Sequence, residues 1–190
     1  MNINNALIPG TVLSKAKTGG AVGSEFLNNI FYISDGIMLS YIREITGIDG
    51  TTLQNWVKRG WVLNPKNKLY SKEQLARILI INMVRDTMQL SKITELLTYI
   101  NGNLEDSSDD IVTESALYDY LCRAIALSSE TDTPLDDVIA NVTDGYIERF
   151  ANSAKRLRKA IKIILLSYIA SAYKNLADTE MKEVEAETNE

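Results

Sequence analysis

A chain of 190 residues, 45% of them hydrophobic, is long enough for one medium domain or two small ones and too apolar for wholesale disorder. It carries no histidine and one cysteine, Cys122, which excludes an internal disulfide, imidazole-dependent nucleophile triads and most zinc sites. The net charge of −5 conceals an asymmetry: residues 38–100 hold nine Lys/Arg and five Asp/Glu, whereas residues 101–190 hold nine and eighteen. A basic middle beside an acidic second half is compatible with a nucleic-acid partner.

Residues 1–35 read as a flexible lead-in. The stretch from Pro9 to Ser24 has turn residues and no period, and SEFLNNIFYI (24–33) could be a short helix or strand. The apolar run before Pro9 is too short for a signal-peptide core. The most apolar segment, 161–173, is too short and interrupted to span a bilayer. A soluble, cytoplasmic protein is expected, with no membrane partner.

From Asp35 the pattern turns helical. Ile37, Met38, Tyr41, Ile42 and Ile45 recur at steps of three and four and predict one buried stripe, ended by Gly47. Asp49 is placed to cap a second helix, about Gly50–Arg59. This helix puts Leu53, Trp56 and Val57 on one side and Thr51, Gln54, Asn55 and Lys58 on the other. Helix, tight turn and helix is the helix-turn-helix order. After Gly60, the segments Trp61-Val62-Leu63 and Leu69-Tyr70 flank Asn64-Pro65-Lys66-Asn67-Lys68 and predict a small β-hairpin wing. Ser71-Lys72-Glu73-Gln74 is a capping box, opening a helix over about 72–88, and another helix follows at 90–100.

The second half begins with an acidic linker, 103–110, from which Ser108 or Asp109 can start a helix to about 128. Thr133-Pro134-Leu135-Asp136 resembles another capped start, and a long helical pattern runs from Thr143 to about Ala177. The acidic tail 178–190 should fray. The apolar residues of 157–173 occupy more than one side of their helix, so burial is expected, either within this half or against a second subunit. Asp109-Asp110 and Asp136-Asp137 precede apolar helical runs, where negative charge suits a helix N-terminus better than it suggests a metal. Cys122 has the spacing of a core residue, as do Trp56, Trp61 and Tyr70.

Residues 36–100 resemble the winged helix-turn-helix head of MerR-type transcription regulators. The resemblance rests on ITGIDGTTLQNWVKRGWV for the first two helices, Lys68-Leu69-Tyr70-Ser71 leaving the wing, and LSKITELL opening the fourth helix. Residues 35–130 also resemble a bacterial family of unknown function with such a head, through LQNWVKRGW and NKLYSKEQLARILIINM. The MerR pattern of Arg-Tyr-Tyr after Thr-Leu is replaced here by Gln54-Asn55-Trp56, so its phosphate contacts do not carry over at those positions.

The expected architecture is therefore mainly α. A MerR-like winged helix-turn-helix head at 36–102 has a short hairpin wing and precedes a helical C-terminal domain at 103–177. The expected function is double-stranded DNA binding by a transcriptional regulator. Gln54 and Asn55 suit adenine, and Thr51 suits a thymine methyl. Lys58, Arg59, Lys66 and Lys68 suit phosphates. Taken alone, the first set favours an ordinary solvated helix face, and helix-dipole complementation also accounts for Lys58 and Arg59; the surrounding elements favour DNA. The basic run KRLRKAIK (155–162) reads as a solvated face before a phosphate contact. A homodimer through the C-terminal helices would present two heads. The alternative is a non-catalytic protein-interaction module. With no cofactor loop or clustered polar motif, neither an enzyme nor a cofactor is expected.

Overall fold

The structure is a computed structural model that describes residues 6–188. Those residues form eight α-helices, a 3-10 turn at Lys15–Thr18 and one two-stranded antiparallel sheet. Helix α1 spans Gly23–Ile30. Strand β1, Ile37–Met38, leads into α2, Leu39–Thr46, and α3, Gly50–Lys58. Strand β2, Leu69–Tyr70, leads into α4, Lys72–Val84, and α5, Leu90–Asn101. Then come α6, Glu114–Glu130, α7, Leu135–Val142, and α8, Ser153–Thr188.

Helix α4 is the centre. Seven consecutive residues, Leu75 to Ile81, are buried, so the helix is covered on every side as a core helix must be. It packs on α6, α5, α8 and α2. Its first turn carries the expected capping box: Ser71 Oγ accepts from the Gln74 amide, and Gln74 Oε1 accepts from the Ser71 amide at 2.8 Å.

The one charge in that buried stretch, Arg77, is met from two directions. Its Nε donates to the Trp61 carbonyl at 2.6 Å, and its Nη1 donates to Glu114, the first residue of α6. Burial holds the Glu114 carboxyl above the ordinary carboxylate range, with the Arg77 guanidinium pulling the other way. One turn earlier on α4, Glu73 accepts from both the backbone amide and the hydroxyl of Ser115, each at 2.7 Å. The polar edge of α4 thereby holds the start of α6.

This clamp crosses the boundary expected at 102/103. One buried cluster runs from Ile8 through Ile169 and mixes residues of both expected domains, so the division at 102 does not separate two cores. The expected flexible lead-in is likewise corrected for residues 6–35; residues 1–5 lie outside the described residues. Ile8 and Leu27 are fully buried, as Phe26 nearly is. Tyr118 Oη donates to the Pro9 carbonyl at 2.8 Å, and Asn82 Nδ2 to the Gly10 carbonyl at 2.9 Å. Gly10, at φ 76°, lies against the Leu79 backbone, where no Cβ fits. An irregular strap of this kind has no period to read. It is held by turns and single hydrogen bonds.

Four smaller differences have local causes. Residues 37–38 are strand, not helix, which turns Met38 outward, and Tyr41 on α2 is also more than half exposed, so only Ile37, Ile42 and Ile45 of the expected stripe are buried. Helix α6 starts from Thr113, whose Oγ1 accepts from the Ala116 amide, rather than from Ser108 or Asp109. Pro134 takes the cap position of α7 with no side-chain cap bond. Residues 143–152 are turns, and α8 continues through the expected frayed tail as far as Thr188.

Replacing Arg77 by Met should strand a buried carboxylate and release the Trp61 carbonyl. We expect Arg77→Met to lower stability by about 3–5 kcal/mol in urea denaturation, and adding Glu114→Gln to recover a large part of that loss. Equal losses in the single and double variants would show that the pair is not coupled.

Candidate nucleic-acid interface

Helices α2 and α3 are joined by Gly47-Ile48-Asp49. Gly47 takes φ 70°, which a Cβ resists, and its amide donates to the Arg43 carbonyl at 2.8 Å. Ile48 turns inward and is buried. Asp49 then caps α3: Oδ1 accepts from the Thr52 amide at 2.8 Å, and Oδ2 from the Thr52 hydroxyl at 2.6 Å. These two donors hold the Asp49 carboxyl below its ordinary value. Leu53 and Trp56 anchor the inner side of α3.

The outer side is left to solvent. Thr51, Gln54, Asn55 and Lys58 are all exposed and share one face at helical spacing. None of these four side chains makes a hydrogen bond or ion pair with another described residue. Arg59 is also exposed, but its guanidinium sits 5.1 Å from the Trp61 ring centre. That stacking gives Arg59 a structural role at the exit of α3. Gly60, at φ 71°, ends the helix, and the Trp61 amide donates back to the Trp56 carbonyl at 2.9 Å.

Lys66 and Lys68 are exposed on a tight turn. The Leu69 amide donates to the Lys66 carbonyl at 2.9 Å, with Asn67 at φ 53° and Lys68 at φ 64°. Positive φ at both central residues suits the twist of antiparallel strands. The strand beyond this turn does not pair with residues 61–63, as the sequence suggested. Leu69 and Tyr70 pair with Met38 and Ile37 instead. The reason lies in Arg77 and Gln74, which take the carbonyls of Trp61 and Leu63 and so withdraw that segment from sheet pairing. The pairing that does form joins the lysine turn to the strand leading into α2.

Two of the expected core aromatics, Trp56 and Tyr70, are buried, and Trp61 is half-buried. The run 155–162 is largely consumed by the fold. Arg156 donates to the Tyr99 and Ile100 carbonyls, Arg158 to Thr143 Oγ1 at 3.0 Å, and Lys162 to Asp136 at 2.6 Å. Cys122 is buried, and burial pushes its thiol up to about 12. No group of three or more His, Cys, Asp or Glu suited to a metal occurs among the described residues.

Sequence reasoning missed Arg43. It is exposed on α2, its stem runs beside Gly50 at the start of α3, and its guanidinium has no partner among the described residues. With Ser40, Glu44 and Asp49 it lines a cleft of about 400 Å³. Its one signal was position, in the last turn before the glycine that swings α3 into place.

Asp49 allows a check with a defined sign. Because its folded-state value lies below the ordinary 3.8, its contribution is present above that value and lost as pH falls through the folded one. We expect Asp49→Ala to lower the thermal midpoint at neutral pH, and the difference from the parent to shrink below pH 3.8.

Residues 26–121, just over half of the chain, match the family described as "Domain of unknown function (DUF1836)". The chain is also similar to the "Uncharacterized protein YkrK" of Bacillus subtilis (strain 168), with 27% identity over 161 residues, covering 75% of this chain and 69% of that one. No solved structure matches. The family match runs from α1 into α6 and takes in the whole α3 face and the lysine turn, and the chain belongs to the DUF1836 family.

Proposed function

We propose that this protein is a non-enzymatic transcriptional regulator that binds double-stranded DNA, with α2, α3 and the lysine turn acting as a winged helix-turn-helix. The observation that carries the reading is the outer face of α3. Thr51, Gln54, Asn55 and Lys58 are presented together, with no partner among the described residues to explain them. A solvated helix needs polar residues, but it does not need two carboxamides and a threonine aligned with a lysine. In a major groove, Gln54 and Asn55 match the paired donor and acceptor of adenine, and Thr51 can meet a thymine methyl.

Lys58, Lys66 and Lys68 supply phosphate contacts from the end of α3 and from the turn. Arg43, beside the start of α3, supplies another. Arg59 contributes less, since it is stacked on Trp61. The resemblance of residues 36–100 to MerR-type heads supports the same assignment. The N-terminus of α3 is an unsuitable phosphate site, because the Asp49 carboxylate already occupies it. A homodimer joined through the C-terminal helices would bring two heads to one site.

The test is retention of fragmented genomic DNA by the purified protein across a salt series. We expect enrichment of particular fragments and a steep loss of affinity with salt. Gln54→Ala/Asn55→Ala should lose the enrichment while keeping non-specific binding. Lys66→Ala/Lys68→Ala should weaken binding to all fragments and flatten the salt dependence by about two charges. Absence of binding at low salt would overturn the proposal.

A further inference from the structure

Helix α8 has 36 residues and so extends about 54 Å. Its core contacts come from Leu157, Ala160, Ile161, Ile164, Leu165 and Ile169, and burial ends at Ser171. These residues are covered within their own chain. On the opposite side and beyond, Leu166, Tyr173, Leu176, Met181 and Val184 lie on or beside one stripe at helical spacing, and each is 46–55% exposed. On the helix wheel Lys155, Lys159 and Ile163 fall on the same side as this stripe.

The charges along α8 are sorted. Residues 155–174 contain six Lys/Arg and no Asp/Glu, while residues 175–188 contain five Asp/Glu and one Lys. Cations near the start of a helix and carboxylates near its end oppose the macrodipole. The sorting therefore costs an isolated helix and requires compensation. Within the chain Arg156, Arg158 and Lys162 find partners across α5, α7 and the 143–152 turns. Lys155, Lys159, Glu180, Glu183 and Glu187 make no ion pair with a described residue.

Beside the basic half of α8 lies a groove of about 510 Å³, walled by Met88, Leu96 and Tyr99 on one side and Ile163 on the α8 side, with Lys159 at its edge and Lys92 paired to Glu95 at 2.7 Å across from it. We propose that the occupant is α8 of a second copy, running antiparallel, so that each acidic 173–188 extension lies along the basic half and groove of the other. Met181 and Val184 then meet the apolar wall while Glu180 and Glu187 meet Lys155 and Lys159, the cations of this face that have no ion-pair partner among the described residues. A parallel pair would set basic half against basic half and acidic against acidic. This rests on the homodimer proposed above and adds its face, its direction and its occupant.

The experiment is sedimentation equilibrium of the full chain at low micromolar concentration, with helicity by circular dichroism as the folding control. We expect a dimer, converted to monomer by Tyr173→Glu/Val184→Glu, whose sites lie beyond the buried part of α8. Lys155→Glu/Lys159→Glu should weaken the dimer about tenfold, and adding Glu180→Lys/Glu187→Lys should restore it. Val184→Cys should not cross-link to itself under oxidant; the buried Cys122 does not interfere. A monomer at tens of micromolar, a dimer indifferent to the charge reversals, or a Val184→Cys self-cross-link overturns the pairing. DNA retention is read separately. A monomer that still selects fragments through Gln54 and Asn55 overturns the pairing alone, and a dimer without DNA binding overturns the regulator reading alone.

Discussion

A buried guanidinium organises this molecule. Arg77 lies in the middle of seven consecutive buried residues on the central helix, and such a charge is tolerated only where its donors are met. The carbonyl of Trp61 and the carboxylate of Glu114 meet them. One side chain thus determines where the segment after α3 must run and where α6 must begin. Placing Glu114 in the first turn of α6 also sets its charge where the helix dipole favours it. Glu73, one turn away, satisfies the next orphan amide of α6 through Ser115. The arrangement contributes less through net energy than through specificity, since an apolar replacement could pack as tightly without stating which ends belong together.

The exposed face of α3 depends on that restraint. With Leu53 and Trp56 buried beneath it and Trp61 held by Arg77, α3 can rotate little about its axis. Its outward residues are consequently presented in one orientation, which the proposed contact with base edges requires. The lysine turn is restrained by a different connection, the pairing of β2 with β1, which leads directly into α2. The two ends of the candidate interface are therefore braced separately, α3 through Arg77 and the lysine turn through β1.

Helix α8 does two unrelated things along its length. Its first half closes the core over α4, α5, α6 and α7; its second half carries an amphipathic stripe that no other described residue covers. The sorted charge links the halves, because the basic side chains left over from the first complement the carboxylates of the second. A helix whose charges oppose its own dipole suits pairing with a reversed copy of itself.

Local signals were sufficient wherever the controlling interaction is local. The Asp49 cap, the Gly47 turn, the Ser71/Gln74 capping box, and the inward Leu53 and Trp56 set against the outward Thr51, Gln54, Asn55 and Lys58 all depend on residues within about four positions of one another. Those features were legible in the sequence. The strap at Ile8–Gly10, the pairing of Leu69-Tyr70 with Ile37-Met38, the single core across residue 102 and the position of Arg43 beside α3 were not. The first three are decided by partners far away in the chain: Tyr118 for Pro9, Asn82 for Gly10, Arg77 for the Trp61 carbonyl that would otherwise have joined a hairpin. The one-dimensional pattern records how a residue is disposed toward its neighbours. Which distant donor takes which carbonyl is settled only when the helices pack, because a buried polar group accepts whatever partner the packing brings within reach.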